Sequence, residues 1–304
     1  MMTDLDKKDI SYTAGFFMLI AFGVGGMFLA GAIGGIAWNL MTGKGLAELA
    51  AAVGNPAYLR EMQLLQTLQA LFGFLAPTLV TASFLSHKPL KLVGFSQKPE
   101  GDLVVLSIVL ILCGLGVSAG LGHLSYQLPL PVSVKAQFDQ WEQVYAAQAA
   151  GLVSFKSIPD LLLSILVLAL VPAVCEEAFF RGGLQNFMYR GNGNRWMAVI
   201  VVSLIFSIVH MSGYGFLSRL ALGVILGLIY QLSGNIWLSI LAHFINNALA
   251  VIAMYLQVQS GKSLAEAMSD KSGSYLGLMA VPVVAVLFMW MNKKIKQKKP
   301  ADGI

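Results

Sequence analysis

PDLLLSILVLALVPAVCEEAFFRGGLQNF, residues 159–187, decides the fold of this chain. Residues 161–175 carry no charge, and then Glu176, Glu177 and Arg181 stand inside the same apolar run. The run exceeds the roughly 20 residues that a helix needs to cross a bilayer core. An ionisable group in hydrocarbon costs a few kcal/mol or more, so it is normally paired, faces a wet cavity or does chemistry. A membrane helix with two adjacent carboxylates and a guanidinium therefore predicts both a helical membrane fold and a site.

The rest of the chain repeats the pattern. It is 57% hydrophobic and 12% charged, where soluble domains carry roughly 25% charged residues. Eight apolar runs stand at about 13–39, 62–85, 103–125, 159–187, 196–210, 215–232, 236–256 and 275–292, of which 196–210 is short. The expected fold is all-α, a polytopic membrane protein of about eight transmembrane helices, with residues 1–304 as one integral membrane domain. The first run is too long for a signal-peptide core, and Asp4, Asp6 and Asp9 dilute its positive start, so it reads as an uncleaved helix. Cys113 and Cys175 both fall in predicted helices and give neither a disulfide framework nor a zinc motif.

With eight spans and an inside N-terminus, Lys7, Lys8, Lys88, Lys91, Lys98, Arg190, Arg195, Lys293, Lys294, Lys296, Lys298 and Lys299 lie inside, twelve in all. Lys44, Arg60, Lys135, Lys156, Lys262 and Lys271 lie outside, six in all, which is the bias of the positive-inside rule. Both termini are expected to be cytoplasmic. The basic residues are spread around span ends rather than over one face, so nucleic-acid binding has no support. The Lys293–Lys299 cluster reads as a stop-transfer signal and lipid-headgroup contact.

Two pairs of glycines four apart, Gly31/Gly35 and Gly223/Gly227, predict close helix packing within the chain, with dimerisation as the alternative. Between Pro131 and residue 158, Phe138, Trp141, Val144 and Tyr145 recur at helical spacing. They predict a helix at the membrane surface, as an interfacial anchor or a lid.

Three polar clusters share the later half: Glu176, Glu177 and Arg181; Phe206 and His210; His243 and Asn247. Glu177 and Arg181 are four apart and can pair on one helix face. Glu176 points about 100° away and is the carboxylate left for use as a base. Measured from the turns at 191–194 and 233–235, Glu176 and His210 lie roughly 18–21 Å deep, His243 roughly 12 Å and Asn247 roughly 18 Å. Up-and-down helices thus bring all four to similar depth. Phe206 reads as core. A lone membrane histidine is often only a bridge between helices, and Asn247 alone could be interhelical glue. The shared depth is what favours a joint site.

EEAFFR at 176–181, FSIVH at 206–210 and HFINN at 243–247, in this order and in successive helices, resemble the motifs of the CAAX-processing and bacteriocin-processing (Abi, or CPBP) intramembrane endopeptidases. The resemblance covers about residues 159–257 and fits that family's eight-helix architecture. It implies hydrolysis of a peptide bond at or within the membrane. Glu176 and His210 would activate water, His243 and Asn247 would donate to the oxyanion, and Glu177 and Arg181 would hold the helix in shape. The family was named for metalloproteases, so a zinc on Glu176, His210 and His243 is one reading. What is known of the family favours a glutamate-activated water with no cofactor. The implied partners are a peptide or protein substrate and the lipid bilayer, and the implied setting is a bacterial inner membrane. The rival readings are a non-proteolytic scaffold or bacteriocin-immunity protein of the same fold, and a proton-coupled transporter. The transporter would be expected to show internal repeats, and none is found in the sequence.

Overall fold

A computed structural model describes residues 6–268 and 274–298. Asp4, Lys271 and Lys299 of the charge pattern lie outside the described residues. The described chain is helical, with seven helices long and apolar enough to cross a membrane: α1 (Tyr12–Thr42), α2 (Pro56–Leu85), α3 (Gly101–Gln127), α5 (Ile158–Asn192), α7 (Phe216–Ser233), α8 (Ile236–Gln259) and α9 (Tyr275–Gln297). Between them lie α4 (Val132–Ala150) and the short apolar α6 (Arg195–Val209). The protein is an all-α integral membrane protein.

Two tight turns are built by the same pair of residues. Gly193 and Gly234 close α5 and α7 in the left-handed conformation, at φ 73° and 67°. This conformation is easy for glycine and ends a helix cleanly. Asn194 and Asn235 then cap α6 and α8 by accepting from the backbone N–H groups of Met197 and Trp237, each at 3.0 Å. These caps hold α5–α6 and α7–α8 as antiparallel hairpins.

Contacts sort the loops to two ends. At one end, Lys8 Nζ reaches the Ser83 carbonyl (2.7 Å), Asp6 pairs with Lys88 and Lys91 (2.8 and 3.2 Å), and Lys294 pairs with Asp102 (3.1 Å). Asn186 Nδ2 donates to the Leu92 carbonyl (2.7 Å) there. The segments assigned to the inside by charge therefore meet in space. At the other end, Arg60 pairs with Asp160 (2.6 Å) and Gln63 donates to the Leu152 carbonyl (2.9 Å).

Helix α3 packs against α7, α8 and α9, while α1 packs on α2 and the end of α5. Bulky side chains such as Phe28 and Leu40 of α1 and Met289 of α9 stay exposed, as lipid-facing positions do. Of the Gly31/Gly35 pair in α1, only Gly35 packs closely within the chain, where a side chain would sit 2.6 Å from Leu46 Cδ2. A side chain at Gly31 would meet nothing within 4 Å, whereas one at Gly26 would sit 2.1 Å from the Phe72 carbonyl oxygen. The close approach of α1 to α2 is made through Gly26. The Gly223/Gly227 pair does pack within the chain, against Ser203 and Gln185.

Candidate active site

Helix α5 is not a regular α-helix. Leu166–Leu170 and Ala178–Gln185 are π-helical, a widening that recurs at functional sites. Pro172 follows the first stretch and has no N–H to offer the Leu168 carbonyl. That carbonyl accepts instead from Asn247 Nδ2 of α8 at 3.4 Å. The second stretch carries Arg181 directly after the two glutamates.

The two carboxylates have different surroundings. Glu177 is fully buried, and its Oε1 accepts from Arg181 Nη1 (2.9 Å) and faces His243 Nδ1 (2.8 Å). Arg181 Nη2 donates to the Gly223 carbonyl (3.2 Å), and one turn on, Gln185 Nε2 donates to the Gly227 carbonyl (2.9 Å). The glycine pair of α7 thus leaves room for α5 side chains to reach its backbone. A ladder of Arg181 and Gln185 on Gly223 and Gly227 joins the two helices, a role the sequence reading did not assign to Gln185.

Glu176 faces the other way. Its Oε2 is buried, makes no hydrogen bond and lies 4.0 Å from His210 Nε2. That is too long for a direct hydrogen bond. His210 sits just past the end of α6, with Nδ1 2.6 Å from the Phe206 carbonyl oxygen. A carbonyl only accepts, so Nδ1 is the protonated nitrogen and Nε2 of the neutral ring is an acceptor. The Phe206 ring is buried among the three basic groups. Its centre is 4.6 Å from the His210 ring centre, 5.9 Å from that of His243 and 4.7 Å from Arg181 Cζ. Phe206 is core, as expected, but it is also the spacer between the two halves of the cluster. Polar residues of the three separate runs are brought together, Glu176 to His210 and Glu177 to His243, whereas Asn247 bonds to the Leu168 carbonyl and to Asn246.

The zinc reading fares differently. Among the described residues no three His, Cys, Asp or Glu side chains stand together as a metal-ion site. Glu176, His210 and His243 do not stand together as one such ligand set, although an Nδ1 held by Glu177 or by the Phe206 carbonyl would itself suit a ligating imidazole. These donors do not fit a zinc site as they stand.

Residues 158–249 match the Rce1-like type II CAAX prenyl endopeptidase family. This is a family of CAAX-type membrane proteases, and the matched segment runs from the start of α5 into α8, containing every residue of the cluster. The chain is also similar to a 24.3 kDa protein of Escherichia coli described as uncharacterized, at 36% identity over 93 residues. The alignment covers 29% of this chain and 42% of that protein, so the chain spans about two-fifths of the length of the curated relative it matches. No solved structure matches.

Helix α4 lies over the turn that follows His210. Ser212 Oγ donates to Glu142 Oε1, Tyr214 Oη donates to Asp139 Oδ1 (3.1 Å), and the Phe138 and Tyr214 rings meet edge to face at 5.4 Å. The Arg219 guanidinium lies 4.9 Å from the Tyr145 ring centre. Phe138, Asp139, Glu142 and Tyr145 share one helix face. The aromatic stripe expected as an interfacial anchor or a lid, Phe138, Trp141, Val144 and Tyr145, shares Phe138 and Tyr145 with this face, which grips the 212–219 segment. Beneath α4 is a cavity of about 630 Å³, lined in part by Glu142, Tyr145, Tyr214, Ala250 and Met254. Ala250 and Met254 continue the helix face of His243 and Asn247 at spacings of three and four.

Proposed function

We propose that this protein is an intramembrane endopeptidase in which Glu176 and His210 bind and activate the attacking water. The observation that carries the reading is the pair Glu176 Oε2 and His210 Nε2, two acceptors 4.0 Å apart with no hydrogen between them. Two acceptors shared by one water stand about 4 Å apart, each about 2.8 Å from its oxygen. Such a water gives both hydrogens to the protein and turns its lone pairs to the substrate. On attack, its oxygen bonds to the scissile carbonyl carbon and one proton passes to Glu176. As the C–N bond breaks, Glu176 returns that proton to the leaving nitrogen, the microscopic reverse of its first role.

His243 and Asn247 are the donors proposed for the oxyanion. Asn247 Nδ2 uses one hydrogen on the Leu168 carbonyl and keeps a second. With Nδ1–H given to Glu177, His243 can donate from Nε2 only as imidazolium. The buried Glu177 carboxylate stabilises that charge, which is strongest where water is excluded. Glu177 and Arg181 thus position the donor rather than touch the substrate. The substrate would be a peptide segment of a membrane protein or lipidated peptide, reaching the cluster along α8 from the cavity under α4. No metal is part of the proposal. The lysine and arginine bias supports a cell-membrane protein with both termini in the cytoplasm.

The test is hydrolysis of membrane peptides in proteoliposomes, followed by mass spectrometry of new termini. Glu176→Gln should lower turnover by about 10² to 10⁴-fold, and exhaustive chelation should leave the wild-type rate unchanged. A fully active Glu176→Gln protein overturns the reading. Activity lost to chelation and restored by zinc overturns the direct role of Glu176.

A further inference from the structure

A second concavity opens at the other end of α5, roughly 20 Å along the helix from Glu176. It is a cavity of about 220 Å³ between the connection after α2, the last turn of α5 and the α7–α8 turn. Its wall holds two cationic side chains, Lys91 and Arg190, three amides, Gln97, Asn186 and Gln231, and two phenols, Tyr189 and Tyr230. Among the described residues, no carboxylate lines it.

The two cations are held differently. Lys91 pairs with Asp6 at 3.2 Å. Arg190 has no ion-pair partner among the described residues. Its Nε donates to Asn186 Oδ1 (2.8 Å), and its guanidinium lies 5.5 Å from the Tyr12 ring centre. Asn186 is buried and fixed in turn by its bond to the Leu92 carbonyl (2.7 Å). A buried amide therefore aims the guanidinium while its terminal nitrogens stay available. Tyr230 is the independent observation. Its side chain is 7% exposed, it lines the cavity, and its hydroxyl bonds to no described residue. A buried phenol with an unused O–H beside a guanidinium fits an acceptor that also carries negative charge.

The place of the cavity selects the ligand. It lies where three membrane helices end, at the level of lipid headgroups, and basic pockets between helix ends bind anionic headgroups. We propose that this cavity binds the phosphate of an anionic membrane lipid, with Arg190 and Tyr230 as direct donors and Lys91 at its rim. The proposal is independent of the chemistry at Glu176.

The full-length protein, extracted in mild detergent, would be given phosphatidylglycerol or phosphatidylcholine, and retained lipid read by native mass spectrometry. Phosphatidylglycerol should be retained in preference. Arg190→Gln should weaken its retention about tenfold, the loss of one charge-assisted hydrogen bond, and Tyr230→Phe several-fold. Lys98→Gln removes an exposed charge near the same end that does not line the cavity, and should change retention little. Equal retention of the two lipids, or equal losses in Arg190→Gln and Lys98→Gln, would overturn the site in favour of diffuse surface attraction. Displacement by millimolar inorganic phosphate as readily as by phosphatidylglycerol would make it a free-anion site and overturn the lipid assignment. Should Arg190→Gln fail to fold, Tyr230→Phe decides alone, since its hydroxyl has no partner within the described protein.

Discussion

Replacing Glu177 by Gln separates the work of the two adjacent carboxylates. In the folded protein one oxygen of Glu177 serves both Arg181 Nη1 (2.9 Å) and His243 Nδ1 (2.8 Å), with the three side chains 0%, 1% and 3% exposed. The amide keeps the shape but not the charge. Arg181 would retain the Gly223 carbonyl at 3.2 Å and the face of Phe206, neither of which neutralises a buried guanidinium. Breaking one side of a buried pair costs about 3–5 kcal/mol, a large part of a typical stability of about 5–15 kcal/mol. The expected result is poor yield and a Tm lower by about 10 °C, with activity lost as well. Glu177→Gln with Arg181→Met removes the stranded guanidinium and leaves His243 free to stay neutral, so most of the stability should return, while hydrolysis stays low because the proposed imidazolium has lost its carboxylate. Glu176→Gln should differ from both. Glu176 Oε2 makes no hydrogen bond, so its loss should move stability by no more than about 0.5 kcal/mol while hydrolysis collapses. Thermal unfolding in detergent and peptide hydrolysis, measured on the same four preparations, give the answer. A Glu177→Gln protein as stable as the wild type, or a double variant no more stable than the single, refutes the assignment and exchanges the roles of the glutamates.

Three further outcomes are expected. Cysteines introduced at Asn192 and Gln297 should be labelled by an impermeant reagent from the same side of the membrane, the cytoplasmic one; labelling from opposite sides breaks the shared-end arrangement. Gly26→Ala should lower Tm markedly because the new methyl would press to 2.1 Å on the Phe72 carbonyl oxygen, whereas Gly31→Ala, with nothing within 4 Å, should be neutral. The Asp6 carboxyl is held at about 2, below its ordinary 3.8, by hydrogen bonds from Lys88 and Lys91. Its folded-state pKa is depressed, so its stabilising contribution is complete above the ordinary value and fades as pH falls through about 2. Protease protection of the segment from Asp6 to Ile10 should therefore persist at pH 5 and fade toward pH 2, and Asp6→Asn should remove that dependence.

Much of this architecture is legible because the bilayer forces simple rules. Apolar runs of about 20 residues must be helices, and the Gly-Asn pairs at 193–194 and 234–235 close and cap them. The four-residue spacing of Glu177 and Arg181 gives their ion pair directly, and counting from the two turns brings the three clusters together. The ends of α6 were also visible in its length: the run 196–210 is short because the helix stops at Val209, just before His210. The sequence does not show which way a ring turns. His243 was expected beside Asn247 as an oxyanion donor, or with Glu176 and His210 on a zinc, yet its Nδ1 is on Glu177, a choice made by the packing of α8 on α5 rather than by any local pattern.

The features missed are those in which one helix uses the backbone of another. A glycine pair reads as a packing notch, but Gly223 and Gly227 also bare two carbonyls, and Arg181 and Gln185 occupy them at the same spacing of four. Pro172 reads as a helix breaker, but what matters is the Leu168 carbonyl left for Asn247. Neither pairing can be read from one run, because donor and acceptor lie 42 and 79 residues apart. The same holds for α4, whose aromatic stripe looks like an anchor until Gly213 is seen to admit the Phe138 ring, which a side chain there would strike at 2.2 Å. These contacts share a consequence. Each fixes a segment bearing one member of the cluster to a neighbouring helix: Arg181 to α7, Asn247 to α5, and the turn after His210 to α4. The water-activating pair proposed for Glu176 and His210, 4.0 Å apart, would tolerate little drift, since a misplacement of about 1 Å can cost about a hundredfold in rate. The irregular backbone of α5 and the clasp of α4 are thus best understood as what holds Glu176 and His210 at a working distance.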